Sequence, residues 1–154
     1  MPGPRSRIVG PGVMLGSVSA EPNSHPKPRV LVIDDESTIR AALRRFFKRR
    51  DWIYDEAEDG VRGLAKLLAP GAEYTAIISD LRMPGMSGMA LHDELAERRP
   101  ELLDRLVFST GDVTSKDAAE FVQRTRCFVL EKPFELSKLG ETLERIRAAA
   151  PPIP

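Results

Sequence analysis

A chain of 154 residues, 42% hydrophobic and 30% charged, has the composition of one globular domain and is too short for two full ones. No apolar run reaches the roughly 18–20 residues of a membrane span, so the sequence offers no transmembrane helix. The 23 basic residues balance 23 acidic ones, so the basic excess of a general nucleic-acid binder is missing, and one cysteine, Cys127, excludes an intrachain disulfide and a cysteine zinc cluster.

Residues 1–28 carry six of the 13 prolines and lack helical or strand periodicity, which predicts a flexible tail. Arg5 and Arg7 before Ile8–Leu15 faintly resemble a secretory leader, but Gly10, Pro11 and Gly12 interrupt its apolar core. Met14 is an alternative start. From Arg29 onward, strands and helices alternate. Val30–Ile33 is a short β-branched run, the pattern of a strand buried on both faces. Ile39, Ala42, Leu43, Phe46 and Phe47 then recur at helical spacing. Residues 52–57 predict a more polar strand suited to a sheet edge. Val61, Leu64, Leu67 and Leu68 mark a second helix, ended by Pro70-Gly71, and Thr75–Ile78 a third strand. A third helix, with Leu91 and Leu95, lies between Met83-Pro84-Gly85 and Pro100. Leu106–Phe108 is the fourth strand, Ala118, Phe121 and Val122 belong to the fourth helix, and Phe128–Leu130 is the fifth strand. Leu136, Leu139, Leu143 and Ile146 line a fifth helix, stopped by Pro151-Pro152.

Five alternations within residues 29–148 predict a parallel sheet with right-handed crossovers and helices on both faces. This is a flavodoxin-like, doubly wound α/β domain with strand order 2-1-3-4-5, followed by a short tail at 149–154. Such folds place ligands at the carboxyl ends of the strands. Those ends carry Asp34-Asp35-Glu36, Asp80, Ser109-Thr110-Gly111-Asp112 and Lys132-Pro133-Phe134. Converging carboxylates repel one another, and Mg²⁺, a hard cation with oxygen preference, relieves the repulsion. A hydroxyl and an ammonium opposite complete a set suited to holding a phosphoryl group.

These residues resemble the receiver domain of two-component response regulators over residues 29–148. Asp35 to Asp80 spans 45 positions, Asp80 to Thr110 spans 30, and Thr110 to Lys132 spans 22, in register with the β/α alternation. The resemblance implies that Asp80 accepts a phosphoryl group from a phosphohistidine of a sensor kinase or histidine phosphotransfer protein. It implies Mg²⁺ held by Asp35, Asp80 and the Arg82 carbonyl, with Asp34 acting through water. It also implies that Lys132 pairs with the phosphoryl group, that Thr110 turns in to report it, that Gly111 leaves room, and that Lys132-Pro133 is cis. A cytoplasmic signalling module is the expected setting, with no membrane or direct nucleic-acid contact, since only Ala148–Pro154 follow the last predicted helix.

Two other functions compete. An aspartate-based phosphohydrolase usually needs a second aspartate two residues after the nucleophile, where this chain has Arg82. A pseudo-receiver that only binds partners would lack the acidic pair, Asp80 or Lys132, and all are present. One departure concerns the aromatic that often lies three residues before the lysine: here it is Val129, with Phe128 on the opposite strand face. Arg82 and Asp112, of opposite charge, pair across the mouth of the site if their loops approach, with positioning of the attacking water as the rival role for Asp112. His92, beside Asp93 and Glu94, is read as a solvated surface histidine, and Cys127 as small core filler entering the fifth strand. Asp34 has a plainer use too, capping the first helix with Ser37.

Overall fold

In the computed structural model, which describes residues 26–149, five strands lie in one parallel sheet. They are β1 (Arg29–Ile33), β2 (Ile53–Ala57), β3 (Ala76–Asp80), β4 (Leu106–Thr110) and β5 (Phe128–Glu131), in the order β2-β1-β3-β4-β5. The helices are α1 (Ser37–Arg49), α2 (Gly60–Leu68), α3 (Gly88–Arg98), α4 (Lys116–Thr125) and α5 (Leu136–Ala149). The predicted tail lies outside the described residues as far as position 25, as does the C-terminal end beyond 149.

Strand alternation divides the core in two. Val30, Val32, Ile78 and Val107 pack with Leu43, Phe47, Leu139 and Leu143, so α1 and α5 cover one face. Leu31, Ile33, Ile77, Leu106 and Phe108 pack with Leu67, Leu91, Leu95 and Phe121, so α2, α3 and α4 cover the other. The apolar runs of β1 and β3 follow from burial on both faces. β2 reads as polar because it is the edge: Glu56 receives Arg40 and Arg44, and Asp55 receives Lys66 and the Tyr74 hydroxyl. A 3₁₀ helix at Pro100–Arg105 is absent from the sequence reading. Pro100 at its start marks the end of α3 but does not reveal that one tighter turn follows, which seats Leu102 in the core.

Gly88 fixes how α3 approaches the sheet. A Cβ there would lie 2.5 Å from the Asp80 carbonyl oxygen and 2.9 Å from Leu81 Cα, both rigid backbone atoms. Glycine therefore sets the closeness of α3 to the strand end that carries Asp80.

Candidate functional site

The ends of β1, β3, β4 and β5 bring the predicted residues together. Asp80 ends β3 beside β1 and is 7% exposed, and Asp34 follows β1 at 2%. Lys132 follows β5, and its backbone N–H donates to the Thr110 carbonyl at 2.7 Å, which fixes its approach. Its Nζ donates to Asp34 Oδ2 at 3.2 Å, Glu36 Oε1 at 3.0 Å and Asp80 Oδ2 at 3.1 Å. Among the described residues, Asp34, Glu36 and Asp80 form a group whose carboxylate oxygens lie within 4.8 Å of one another.

One ammonium thus serves three carboxylates. Burial opposes the charge on Lys132, but hydrogen bonds to Glu36 and Asp80 and the charge of Asp34 outweigh it and raise its pKa. Asp34 remains undercompensated. Its burial, with the nearby charge of Asp80, raises its pKa despite a hydrogen bond from the Glu36 N–H and the pairing with Lys132. Glu36, in the strand-end run after β1, has no local sequence signal for its contact with Lys132. Asp35 is exposed and lines a cleft with Glu58, Asp59 and Met86, outside the close carboxylate group. Asp34 does not cap α1: its Oδ1 accepts from the Glu36 N–H, and Glu36 is the N-cap residue.

A family model described as the response regulator receiver domain matches residues 30–144. The chain belongs to that family. As a receiver it is a phosphoacceptor module of two-component systems. It is 32% identical to the transcriptional regulator NtrC of Salmonella typhimurium over 117 residues, covering 75% of this chain and 24% of NtrC. It is 29% identical to the sensor kinase CckA of Brucella abortus over 117 residues, covering 76% of this chain and 12% of CckA. The chain therefore matches a minor part of each relative's length. Among solved structures, chemotaxis protein CheY4 of Vibrio cholerae superposes with a TM-score of 0.68 at 27% identity, covering 79% of this chain and 99% of that one. Among the described residues no helix is long and apolar enough to cross a membrane.

Thr110 is 1% exposed, and its hydroxyl accepts from the Asp112 N–H at 3.2 Å. Nothing crowds the space beside Gly111, and Lys132-Pro133 is cis. Val129 and Phe128 pack on opposite faces of the sheet, as the alternation requires. The expected Arg82–Asp112 pair is not formed. Arg82 donates instead to Ser115 Oγ at 2.8 Å and Asp117 Oδ1 at 2.7 Å. Asp112 is engaged by the Thr114 hydroxyl and the Thr114 and Ser115 N–H groups, which shape the turn into α4. Asp117, one residue inside α4, suits its positive end and the arginine together. Hydrogen bonds from Arg82 and Ser115 hold its pKa at about 2.

His92 also departs from the expectation of a solvated histidine. It is 9% exposed, with its ring edge-on to Phe121 at 5.1 Å between centroids. The neighbouring Asp93 and Glu94 suggested a wet face, but the position shares the core stripe with Leu91 and Leu95. Cys127 is half-buried and precedes β5, near the Thr125 hydroxyl. Burial pushes the His92 pKa below its usual value, with the charge of Arg124 adding to the effect and Asp93 opposing it. The unfolded chain therefore takes up a proton below about pH 6.5 before the native state does, and stability falls as pH drops from there. In thermal melts, His92→Leu should flatten the pH dependence below 6.5 relative to wild type. An unchanged pH profile would contradict this.

Proposed function

We propose that residues 29–148 form a complete phosphoacceptor unit in which Asp80 receives a phosphoryl group from a phosphohistidine on a sensor histidine kinase or a histidine phosphotransfer protein in the cytoplasm. The observation that carries this is the three-way contact of Lys132 Nζ with Asp34, Glu36 and Asp80. One Asp80 oxygen attacks phosphorus. The P–O bond forms as the P–N bond breaks, and the imidazole leaves.

Lys132 Nζ, already 3.1 Å from Asp80, stays with the charge that the acceptor gains. Thr110 would release the Asp112 N–H to reach a phosphoryl oxygen. The hard oxygen donors of Asp34, Glu36 and Asp80 fit Mg²⁺, and the family resemblance would add Asp35 and the Arg82 carbonyl as direct ligands, with Asp34 acting through water, although Asp35 stands outside that close group. When bound, the ion supplies charge neutralisation for the phosphoryl oxygens. The chain transfers a group to itself and turns over no separate substrate beyond hydrolysis of its own acyl phosphate.

The experiment is intact mass after treatment with acetyl phosphate. A single phosphoryl adduct should form with Mg²⁺ and fail to form in excess chelator. Equal labelling in both would overturn the reading.

The Arg82–Asp117 contact joins the residue two after Asp80 to the start of α4, and on this reading it hinders the approach of water to the acyl phosphate. Arg82→Ala and Asp117→Ala should each shorten the phosphoryl lifetime several-fold, with little further loss in the double variant. Timing adduct loss in the three proteins checks it, and three unchanged lifetimes would contradict it.

A further inference from the structure

A second cavity lies at the opposite end of the sheet from Asp80, where β4 and β5 begin. Its volume is about 560 Å³, within the range of small-ligand sites. Four arginines line it, each from a different segment: Arg105 from the 3₁₀ helix, Arg124 from α4, Arg126 from the turn before β5 and Arg145 from α5, the last three of them exposed. Glu101 and Asp104 share the lining, which leaves a formal excess of two positive charges. Glu101 is already held by Arg99 at 2.8 Å. Among the described residues, no side-chain ion pair engages Arg124, Arg126 or Arg145. Arg105 donates to the Tyr74 carbonyl at 2.7 Å and is thereby anchored.

His92 lines the same cavity, and its Nδ1 is buried with no hydrogen-bond partner. The nearest carboxylate, Asp93 Oδ1, is 3.7 Å away, beyond hydrogen-bond range. His92 Nδ1 has almost no accessible surface, so the imidazole adds bulk to this wall and no polar group open to the cavity. Leu103, Phe128 and Ile146 supply an apolar wall beside the guanidiniums.

We propose that this cavity binds a small phosphate-bearing ligand, independently of the phosphoacceptor site. Guanidinium forks match phosphate oxygens two at a time, and an excess of two positive charges matches a phosphate near −2. The apolar wall gives an organic phosphate of nucleotide size a further surface. An inorganic polyphosphate would use the arginines alone.

The test is a ¹⁵N NMR titration of the full chain in chelator with two probes, AMP and inorganic pyrophosphate. Saturable shifts are expected at residues 103–105, 124–128 and 145–146, with affinity falling about tenfold in Arg124→Ala and in Arg145→Ala. Tighter binding of AMP identifies an organic phosphate, and tighter binding of pyrophosphate an inorganic one. The proposal is overturned if neither probe gives saturable shifts, if shifts are confined to residues 34–36, 80–82 and 132, or if both variants bind as wild type does.

Discussion

Asp80→Asn should take up no phosphoryl group from a small phosphodonor while melting at or above the wild-type temperature. The first half follows from chemistry, since an amide has no anionic oxygen to attack phosphorus. The second follows from electrostatics. The charge of Asp80 adds to the burial that raises the Asp34 pKa, so removing it relieves one repulsion. Lys132 keeps two carboxylate partners, Asp34 and Glu36. Intact mass and a thermal melt measure the two halves. A residual adduct in Asp80→Asn would contradict the acceptor assignment, and a large fall in melting temperature would contradict the charge argument.

Lys132→Ala has the opposite stability effect. It removes the ammonium from three carboxylates and leaves Asp34 and Asp80 close together and unpaired. Breaking a fully buried pair this way costs about 3–5 kcal/mol, and a cluster with one exposed member should lose about 1–3 kcal/mol. Phosphoryl uptake should slow by about tenfold or more, since about 1.4 kcal/mol of lost stabilisation at the transferring group is a factor of ten. Mg²⁺ should raise the melting temperature of Lys132→Ala more than that of wild type, because the ion no longer competes with an ammonium for the same oxygens. Melts with and without Mg²⁺, with uptake rates from mass spectra, check all three. Uptake at the wild-type rate would remove Lys132 from the site's chemistry.

The fold was legible because its two-sided burial leaves a strong pattern. Val30–Ile33 and Ala76–Ile78 are apolar throughout, and only a strand covered on both faces needs that. The edge position of β2 was legible from the polarity of Asp55 and Glu56. The convergence of Asp34, Asp80, Thr110 and Lys132 was legible because a parallel sheet must place its strand ends side by side, whereas Asp35 stands outside the close carboxylate group.

Side-chain choices among near neighbours were not legible. Arg82 has Asp112 and Asp117 both in reach. The α4 turn decides between them by occupying Asp112 with Thr114 and Ser115. His92 lies on the buried Leu91–Leu95 stripe, a placement that the adjacent charges of Asp93 and Glu94 mask in the sequence. Glu36 faces Lys132 across 96 residues, a contact that no local spacing encodes.

The most direct measurement of the central claim is the position of the label. The chain is treated with acetyl phosphate and Mg²⁺, the acyl phosphate is trapped by borohydride reduction, and peptides are fragmented to locate the modified residue. The reduced residue should be Asp80, and no other aspartate should carry it. A label on Asp34, Asp35 or an aspartate outside the cluster would contradict the account.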